Sequence, residues 1–191
     1  MKILLLSDTH GDLDRVYRIY EKLTDIDMIF HCGDYQRDAL QLEDTLGIPV
    51  LSVKGNCDGC TKPDRKIAET PAGRILLTHG HLEGVGFDET RLLYLAEEND
   101  CIAVCCGHTH RALYENFNGI FLINPGSLTE PRDGSGGTYA ILHCEEDQFY
   151  GNIVHYDRIF PDRGSSGSGN KKTKKPSGGF LRNLLNYSDR F

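Results

Sequence analysis

Short polar motifs recur along this chain at nearly even spacing, and each follows an apolar run that is typical of a buried strand. They are Asp8-Thr9-His10, Gly33-Asp34, Gly55-Asn56, His79-Gly80-His81 and Gly107-His108-Thr109-His110. The carboxyl ends of parallel strands meet at one edge of an α/β sheet, so we expect these side chains to converge there. A set of carboxylate, amide and imidazole donors at one edge can hold two metal ions, which are typical of enzymes that cleave phosphate esters.

The spacing supports this interpretation. Each donor follows the previous one by about one α/β repeat. Asp8 and His10 are two residues apart, and side chains with that spacing point the same way in extended chain, so we expect both to reach one ion. His108 and His110 repeat the pattern. Asp34 lies in the middle of the set and could bridge two ions. Donors of these types suit Mn²⁺, Fe²⁺, Co²⁺, Ni²⁺ or Zn²⁺ better than Ca²⁺.

The elements that must position these residues can be predicted from hydrophobic periodicity. Apolar runs at 2–7, 28–32 and 50–55 predict strands, and helical periodicity at 12–24 and 36–47 predicts helices between them. This βαβαβ order favours a parallel sheet with helices packed on it. A further strand, helix and strand are predicted at 74–80, 88–99 and 101–107.

The pattern changes after residue 107, where helical periodicity stops. Asn118-Gly119 separates two apolar stretches within 111–124, which is a strong hairpin signal. Strands are predicted at 138–144 and 149–156 with no helix between them, so the second half is expected to be antiparallel. We therefore predict an α/β fold, a four-layer α-β-β-α sandwich of two mixed sheets with flanking helices.

Charge and composition divide the chain into three parts. Residues 1–162 are predicted to form one domain, with 14 Lys and Arg against 27 Asp and Glu. Residues 163–179 form a basic, low-complexity linker, and 180–191 form a short amphipathic segment that either docks on a partner or stays unfolded. An acidic domain is a poor partner for nucleic acid and suits a protein that binds metal cations and a small substrate.

The N-terminus and the cysteines bear on location and redox chemistry. The apolar run after Lys2 is too short for a signal peptide or a membrane span, which predicts a cytoplasmic protein without a membrane partner. The chain has 7 Cys, and an odd number without a signal peptide argues against a disulfide framework. Cys57 and Cys60 form a CxxC pattern, for which we favour a structural role over a redox role. His31 lies in an apolar strand and is interpreted as a core histidine.

The ordered set of motifs resembles the calcineurin-like metallophosphoesterases over about residues 2–157. Gly55-Asn56-Cys57-Asp58 and Asn124-Pro125-Gly126-Ser127 resemble the compact bacterial and archaeal phosphodiesterase branch. The resemblance implies that one metal is held by Asp8, His10 and His110, that the other is held by Asn56, His79 and His108, and that Asp34 bridges them. It also implies two divalent transition metal ions, with manganese expected first, and a homo-oligomer. The loop at 124–127 is expected to support the metal ligands.

The chain departs from the family pattern at Cys57. Many members have histidine there, thought to protonate the leaving group or steady the transition state, and a thiol cannot replace an imidazolium as an acid. The enzyme would then prefer substrates with good leaving groups, or another residue would assist. His81 is a candidate for contacting the substrate or for supporting the metal ligands. The predicted catalytic residues are therefore Asp34, Asn56 and His81.

The function predicted from these observations is hydrolysis of small phosphodiesters by a hydroxide activated between two metals. A phosphomonoesterase and a nuclease are alternatives within the same chemistry. A different class stays open, because the retromer subunit of eukaryotic membrane trafficking resembles this fold and serves as a protein-binding scaffold. The full set of ligand types favours an enzyme.

Overall fold

The computed structural model describes residues 1–59, 63–146 and 148–161. Cys60, the linker at 163–179 and the segment at 180–191 lie outside the described residues, so the predictions made for them remain predictions. The elements in chain order are β1 (Lys2–Leu6), α1 (Asp14–Lys22), β2 (Met28–His31), α2 (Gln36–Leu46), β3 (Val50–Ser52), β4 (Arg65–Thr70), β5 (Gly73–Thr78), α3 (Thr90–Glu98), β6 (Cys101–Cys105), β7 (Ala112–Phe117), β8 (Ile120–Pro125), β9 (Thr138–Glu145), β10 (Gln148–His155) and α4 (Tyr156–Ile159).

The strands form two five-stranded mixed sheets. The first has the order β10-β9-β1-β2-β3, in which β1, β2 and β3 run parallel and β9 pairs antiparallel with β1. The second has the order β4-β5-β6-β8-β7, with β5, β6 and β8 parallel to one another. The last two strands of the described residues therefore complete the sheet that the first strand begins.

Alternating side chains on each strand build the layers. On β1, Ile3 and Leu5 enter the core between the two sheets, whereas Leu4 and Leu6 pack on the helices outside. In the second sheet, Leu77 faces the same central core, and Leu76 faces α3. Burying one such side chain contributes about 1.5–3 kcal/mol, so both faces of each sheet must be covered. This arrangement confirms the predicted four-layer α-β-β-α sandwich.

The topology differs from the prediction in the second half of the chain. We expected antiparallel pairing there, and β7 pairs antiparallel with β8 and β9 with β10, but β6 pairs in parallel with β8. The Asn118-Gly119 hairpin forms as predicted, and its first strand, β7, takes the edge while β8 returns beside β6. A hairpin signal fixes which two strands pair with each other, but it does not say which of them lies next to an earlier strand.

Two elements were not predicted. Strand β4, with the sequence RKIAET, lies at the edge of its sheet, where few of its side chains are buried and the apolar pattern is weak. Helix α4 begins at Tyr156, which we had placed at the end of the last strand. None of the described helices combines the length and apolarity that crossing a bilayer requires.

Candidate metal centre

The predicted ligands lie in the loops that follow five parallel strands, three in one sheet and two in the other. Each loop begins at a carboxyl end, and all of these ends open at the same edge of the sandwich. The structure brings all seven predicted side chains together there, in two clusters. The inner cluster consists of Asp8, His10, Asp34 and His110, and the outer cluster consists of Asn56, His79 and His108 together with Asp34.

The inner cluster is compact and largely buried. Its four residues offer ligand atoms that all lie within 4.8 Å of one another. His110 Nε2 is 3.3 Å from Asp8 Oδ1 and 3.4 Å from His10 Nε2. These separations are close to those between ligands that share one ion at bond lengths of about 2.0–2.2 Å. The cluster could therefore hold one divalent cation.

The outer cluster is arranged around the amide oxygen of Asn56. Asn56 Oδ1 lies 3.0 Å from His79 Nε2 and 2.9 Å from His108 Nδ1. Asp34 connects the two clusters, since its Oδ1 is 3.5 Å from His79 Nε2 and its Oδ2 is 3.9 Å from His10 Nε2. One carboxylate oxygen thus faces each cluster, which is the geometry that a bridging ligand needs.

The hydrogen bonds within the clusters indicate that cations fit between these atoms. His110 Nδ1 donates to the Glu130 carbonyl at 2.7 Å, and His79 Nδ1 donates to the Cys32 carbonyl at 2.7 Å. When both rings are neutral, Nε2 carries a lone pair. The lone pair of His110 faces Asp8 Oδ1 and that of His79 faces Asn56 Oδ1, and both oxygens are also acceptors. Asp8 Oδ1 is fully buried and has no hydrogen-bond partner among the described residues. Buried acceptors that face one another call for a cation between them.

The protein alone already perturbs these ionisable groups. Burial by itself would raise the pKa of Asp8, but the His110 side chain and the charge of His79 outweigh it, so the pKa lies below the ordinary 3.8. For His110, burial is outweighed by contact with Asp8, which raises the pKa above the ordinary 6.5. Burial, and then the neighbouring His79, lower the pKa of His108. The pKa shifts of Asp8 and His108 favour the forms that bind metal, whereas the raised pKa of His110 favours its protonated form, which a bound cation would have to displace.

The backbone around the centre is unusual, and it corrects one of our arguments. We expected Asp8 and His10 to reach the same ion because residues two apart in an extended strand point the same way. Instead, β1 ends at Leu6, and the two residues have φ of 54° and 49°. His108 and His110 have φ of 67° and 56°. The pairs converge through left-handed turns, a conformation that is costly for residues other than glycine and is often found at functional sites.

The glycines that precede the ligands allow the loops to approach closely. A Cβ atom at Gly55 would overlap the Asp34 carboxylate, and one at Gly107 would overlap the Ser7 hydroxyl and lie 2.7 Å from Asp8 Oδ2. The absence of a side chain at these positions lets the backbone of one loop lie against the ligand of another. Close packing between the ligand loops therefore explains why a glycine precedes the ligand in the recurrent Gly-Asp, Gly-Asn and Gly-His pairs.

A buried network that the sequence analysis missed holds the first two ligand loops. Thr9 Oγ1 donates to Asp38 Oδ2 at 2.6 Å and lies 3.0 Å from His31 Nε2. Gly11 N–H also donates to Asp38 Oδ2, at 2.8 Å. The prediction that His31 is a satisfied core histidine is confirmed. Asp38 could have been noticed as a carboxylate on the buried, apolar face of the predicted helix α2.

The loop at 124–127 contacts two of the ligand loops, as we expected. Asn124 Nδ2 donates to the Gly107 carbonyl at 2.8 Å, and Ser127 Oγ donates to the Asp8 carbonyl at 2.8 Å. These bonds connect the end of β8 to the backbone of the two loops that carry Asp8 and His110. Glu130 was not predicted, although its carbonyl orients His110 and its carboxylate lies 3.9 Å from His10 Nε2.

His81 and Cys57 lie at the outer side of the centre. The His81 ring centroid is 5.3 Å from that of His79 and 6.1 Å from that of His108, and its Nδ1 has no hydrogen-bond partner among the described residues. Asn56 Nδ2 donates to Cys57 Sγ at 3.4 Å, which turns the Asn56 oxygen towards the two histidines. Burial and contact with Asp34 raise the pKa of the Cys57 thiol to about 11.

Sequence comparison identifies the family. A family model described as the calcineurin-like phosphoesterase superfamily domain matches residues 1–147. This chain belongs to that family. It is 37% identical over 152 residues to a protein named probable metallophosphoesterase YsnB from Bacillus subtilis, an alignment that covers 77% of this chain and 86% of the relative. The resemblance stated from the motifs is thereby confirmed.

Solved structures agree with the fold. A conserved protein from Streptococcus pneumoniae, described as a predicted phosphoesterase, superposes with a TM-score of 0.69 at 29% identity, covering 82% of this chain and 90% of that one. Vps29 from Entamoeba histolytica, solved in complex with Zn²⁺, superposes with a TM-score of 0.67 at 19% identity, covering 82% of this chain and 99% of that one. The likeness to Vps29 shows the fold alone.

Proposed function

We propose that this metallophosphoesterase hydrolyses small phosphodiesters at a centre of two divalent metal ions. The observation that carries the proposal is the pair of clusters that share Asp34, each with acceptor atoms facing one another across a gap suited to a cation. Asp8, His10 and His110 would hold one ion, Asn56, His79 and His108 the other, and Asp34 both. Manganese is our first expectation among the transition metals.

In this proposal the protein's own residues position the charges. Two bound ions would supply Lewis acidity to the phosphoryl oxygens and lower the pKa of a water molecule. Asp34 would hold the two sites at a fixed separation. Asn56 would bind its ion through a neutral amide oxygen, so the site would keep positive charge that a carboxylate ligand would neutralise. The Cys32 and Glu130 carbonyls fix the ring orientations of His79 and His110, so little reorganisation is needed during the reaction.

The charge of the site favours a diester over a monoester. Two divalent cations against the carboxylates of Asp8 and Asp34 leave a net charge of about +2. A singly charged diester together with one hydroxide would neutralise it. Among the described residues, no Lys or Arg side chain forms a hydrogen bond or ion pair with a ligand of either cluster, so the ligand set itself does not balance the additional negative charge of a monoester.

His81 is proposed to contact the substrate or the departing oxygen. Its unpartnered Nδ1 lies beside the outer cluster, and the Cys57 thiol, with a raised pKa of about 11, is a poor proton donor at neutral pH. We therefore expect faster turnover for substrates with acidic leaving groups. His81→Ala should lower kcat more for a poor leaving group than for p-nitrophenolate.

The test is an assay of the purified full chain on bis(p-nitrophenyl) phosphate and p-nitrophenyl phosphate. The protein is first treated with a chelator and then given Mn²⁺, Ni²⁺, Zn²⁺ or Mg²⁺. We expect diester cleavage to return with a transition metal and to exceed monoester cleavage. Asp34→Asn should reduce kcat by roughly a thousandfold, as is typical when a group that stabilises the transition state is lost.

Asp44→Asn is a matched control for Asp34→Asn, since Asp44 is an exposed aspartate on α2, and it should keep full activity. A folded protein that binds metal but cleaves neither ester with any of these ions would contradict the proposal. That result would favour the protein-binding scaffold. Equal or faster cleavage of the monoester would overturn the diester assignment and leave the metal-dependent hydrolase standing.

A further inference from the structure

A cleft of about 510 Å³ opens beside the metal centre, between the start of α2 and residues 57–59, which follow Asn56. Its walls include Tyr35, Arg37, Leu40, Cys57 and Asp58. A volume of this size falls in the range of small-molecule sites, which is about 300–1,000 Å³. None of these residues belongs to the proposed ligand set, so the cleft is a separate feature that adjoins the centre.

The cleft reaches the metal centre through Tyr35. The Tyr35 ring meets the His10 ring edge to face, with centroids 5.1 Å apart. A Cβ atom built on Gly11 would lie 3.5 Å from the Tyr35 ring and 3.8 Å from an Arg37 guanidinium nitrogen. The Arg37 side chain therefore lies over the loop that carries Asp8 and His10. The cleft is therefore within reach of a molecule bound at the centre if one of its arms passes Tyr35.

The walls of the cleft carry one basic side chain, Arg37, and one acidic side chain, Asp58. Arg37 has no acidic partner within ion-pair distance among the described residues, and its guanidinium lies over the Tyr35 ring at 5.0 Å from the centroid. The carboxylates of Asp58, in the cleft wall, and of Asp38, next to Arg37 in the chain, are already hydrogen-bonded. Asp58 accepts from the backbone N–H groups of Gln36 and Gly55, and Asp38 accepts from Thr9 and Gly11. The guanidinium N–H groups thus remain available for an anionic ligand.

The cleft also offers apolar surface to a flat group. Tyr35 contributes an aromatic ring, and Leu40 is half exposed on α2, one helical turn after Arg37. Residues three apart lie on the same face of a helix, so the aliphatic and cationic side chains line one wall. A planar ring with an attached anionic group matches this combination of an aromatic surface, an aliphatic surface and a guanidinium.

We propose that this cleft is a subsite for the non-reacting arm of the substrate, and that the arm is nucleoside-like and carries a second phosphate that pairs with Arg37. The inference rests on the proposed phosphodiesterase function and narrows its substrate class to phosphodiesters with a further phosphate group. Arg37 acts as a specificity determinant. It does not touch the reacting phosphorus atom.

Two substrates that differ only in the second phosphate test this assignment. One is the p-nitrophenyl ester of thymidine 5′-monophosphate, and the other is the same ester with an added 3′-phosphate. The wild-type protein should have a lower KM for the 3′-phosphorylated ester. Arg37→Gln should raise that KM about tenfold or more, the size expected for one charge-assisted hydrogen bond, with kcat nearly unchanged. The KM for the unphosphorylated ester should stay the same.

Two variants complete the design. Arg37→Lys should recover part of the preference, because it keeps the charge but not the planar fork. Arg158→Gln removes an exposed arginine on α4, far along the chain, and should change neither KM. If Arg37→Gln lowers kcat/KM equally for both esters and for bis(p-nitrophenyl) phosphate, Arg37 binds the reacting phosphoryl group and the subsite is wrong. If it changes neither ester, the subsite is also wrong.

A direct binding measurement separates failure of the subsite from failure of the proposed function. If the wild-type protein cleaves no ester, calorimetric titration with thymidine 3′,5′-bisphosphate still tests the cleft. Binding weakened about tenfold in Arg37→Gln, with unchanged binding of thymidine 5′-monophosphate, supports the subsite even without activity. Equal binding of the bisphosphate to both proteins overturns it.

Discussion

The inner and outer clusters share Asp34, but they differ in burial and in charge. Asp8, Asp34 and His110 are nearly inaccessible, whereas Asn56 is exposed and His108 is partly exposed. The inner cluster also contains Asp8, and the outer cluster has no carboxylate except the shared one. Buried carboxylates are costly without a cation, so the inner site should hold its ion more tightly. The outer site, with a neutral amide and better access to solvent, should exchange its ion more readily.

The difference in roles follows from the same features. A tightly held inner ion would help to fix the loops after β1 and β2, so it would have a structural as well as a chemical effect. A more loosely held outer ion would sit nearer to solvent and to His81, where substrate arrives. Each of the following substitutions is centred on one cluster, although Asp8 also accepts from the His108 N–H of the outer cluster at 3.0 Å. They are ordered from the largest expected effect to the smallest.

The largest effect should come from Asp8→Asn in the inner cluster. The variant removes a fully buried carboxylate whose Oδ1 has no hydrogen-bond partner of its own. We expect the affinity for the tighter ion to fall about a hundredfold or more, because a carboxylate ligand is replaced by a neutral amide. Metal content after dialysis against buffered Mn²⁺, measured by mass spectrometry, checks this. Loss of the weaker ion alone would reverse our assignment of the two clusters.

Asn56→Ala should have a smaller effect, restricted to the outer cluster. It removes the oxygen that lies between His79 and His108. The affinity of the outer site for its ion should therefore fall about tenfold. The tighter ion and the melting temperature should change little. The same dialysis experiment gives the result, with one ion per chain retained. A protein that loses both ions, or melts much earlier, would show that the clusters are not separable.

Asp38→Asn should weaken the inner site without removing a ligand. Asp38 holds Thr9 and Gly11 on both sides of His10, so the variant should misplace that loop and reduce inner-ion affinity up to about tenfold. The free energy of unfolding should fall by about 1–3 kcal/mol, measured by urea titration. Asp44→Asn on the same helix is the control. Unchanged metal affinity despite lower stability would mean that Asp38 serves folding alone.

Cys57→Ala should have the smallest effect, confined to the outer cluster. It removes the sulfur that accepts from Asn56 Nδ2, so the amide can rotate, and we expect roughly a threefold loss of outer-ion affinity, in line with a weak hydrogen bond. Cys57→Ser keeps an acceptor and should stay close to wild type. If both variants behave alike in the metal titration, the thiol does not orient Asn56.

The sequence correctly predicted that the motif residues meet at one site, but it did not predict the backbone geometry that places them. The five motifs follow five strands, and the topology of an α/β sheet is enough to bring such residues to one edge. The explanation for the Asp8 and His10 pair was wrong, because left-handed turns place them and backbone φ cannot be read from residue spacing. Asp38 and Tyr35 were missed, since their roles depend on contacts between loops that are far apart along the chain.

The fold shows the same division. Strong periodicity located the buried strands and three helices to within a few residues. The edge strand β4 was missed because its mostly half-buried side chains lack a clear apolar pattern. The parallel pairing of β6 with β8 depends on how the hairpin docks against the sheet. The more apolar sequence of β8, IFLINP against ALYENF in β7, is the signal that marked it as the inner strand.

The most direct test of the two-cluster account is a crystal structure of the protein grown with Mn²⁺, with anomalous scattering measured near the manganese edge. The account predicts two anomalous peaks about 3.5–4 Å apart, with an Asp34 oxygen coordinating each. The peak surrounded by Asp8, His10 and His110 should have the higher occupancy when Mn²⁺ is limiting. A single peak at saturating Mn²⁺, or two peaks that do not share Asp34, would contradict it.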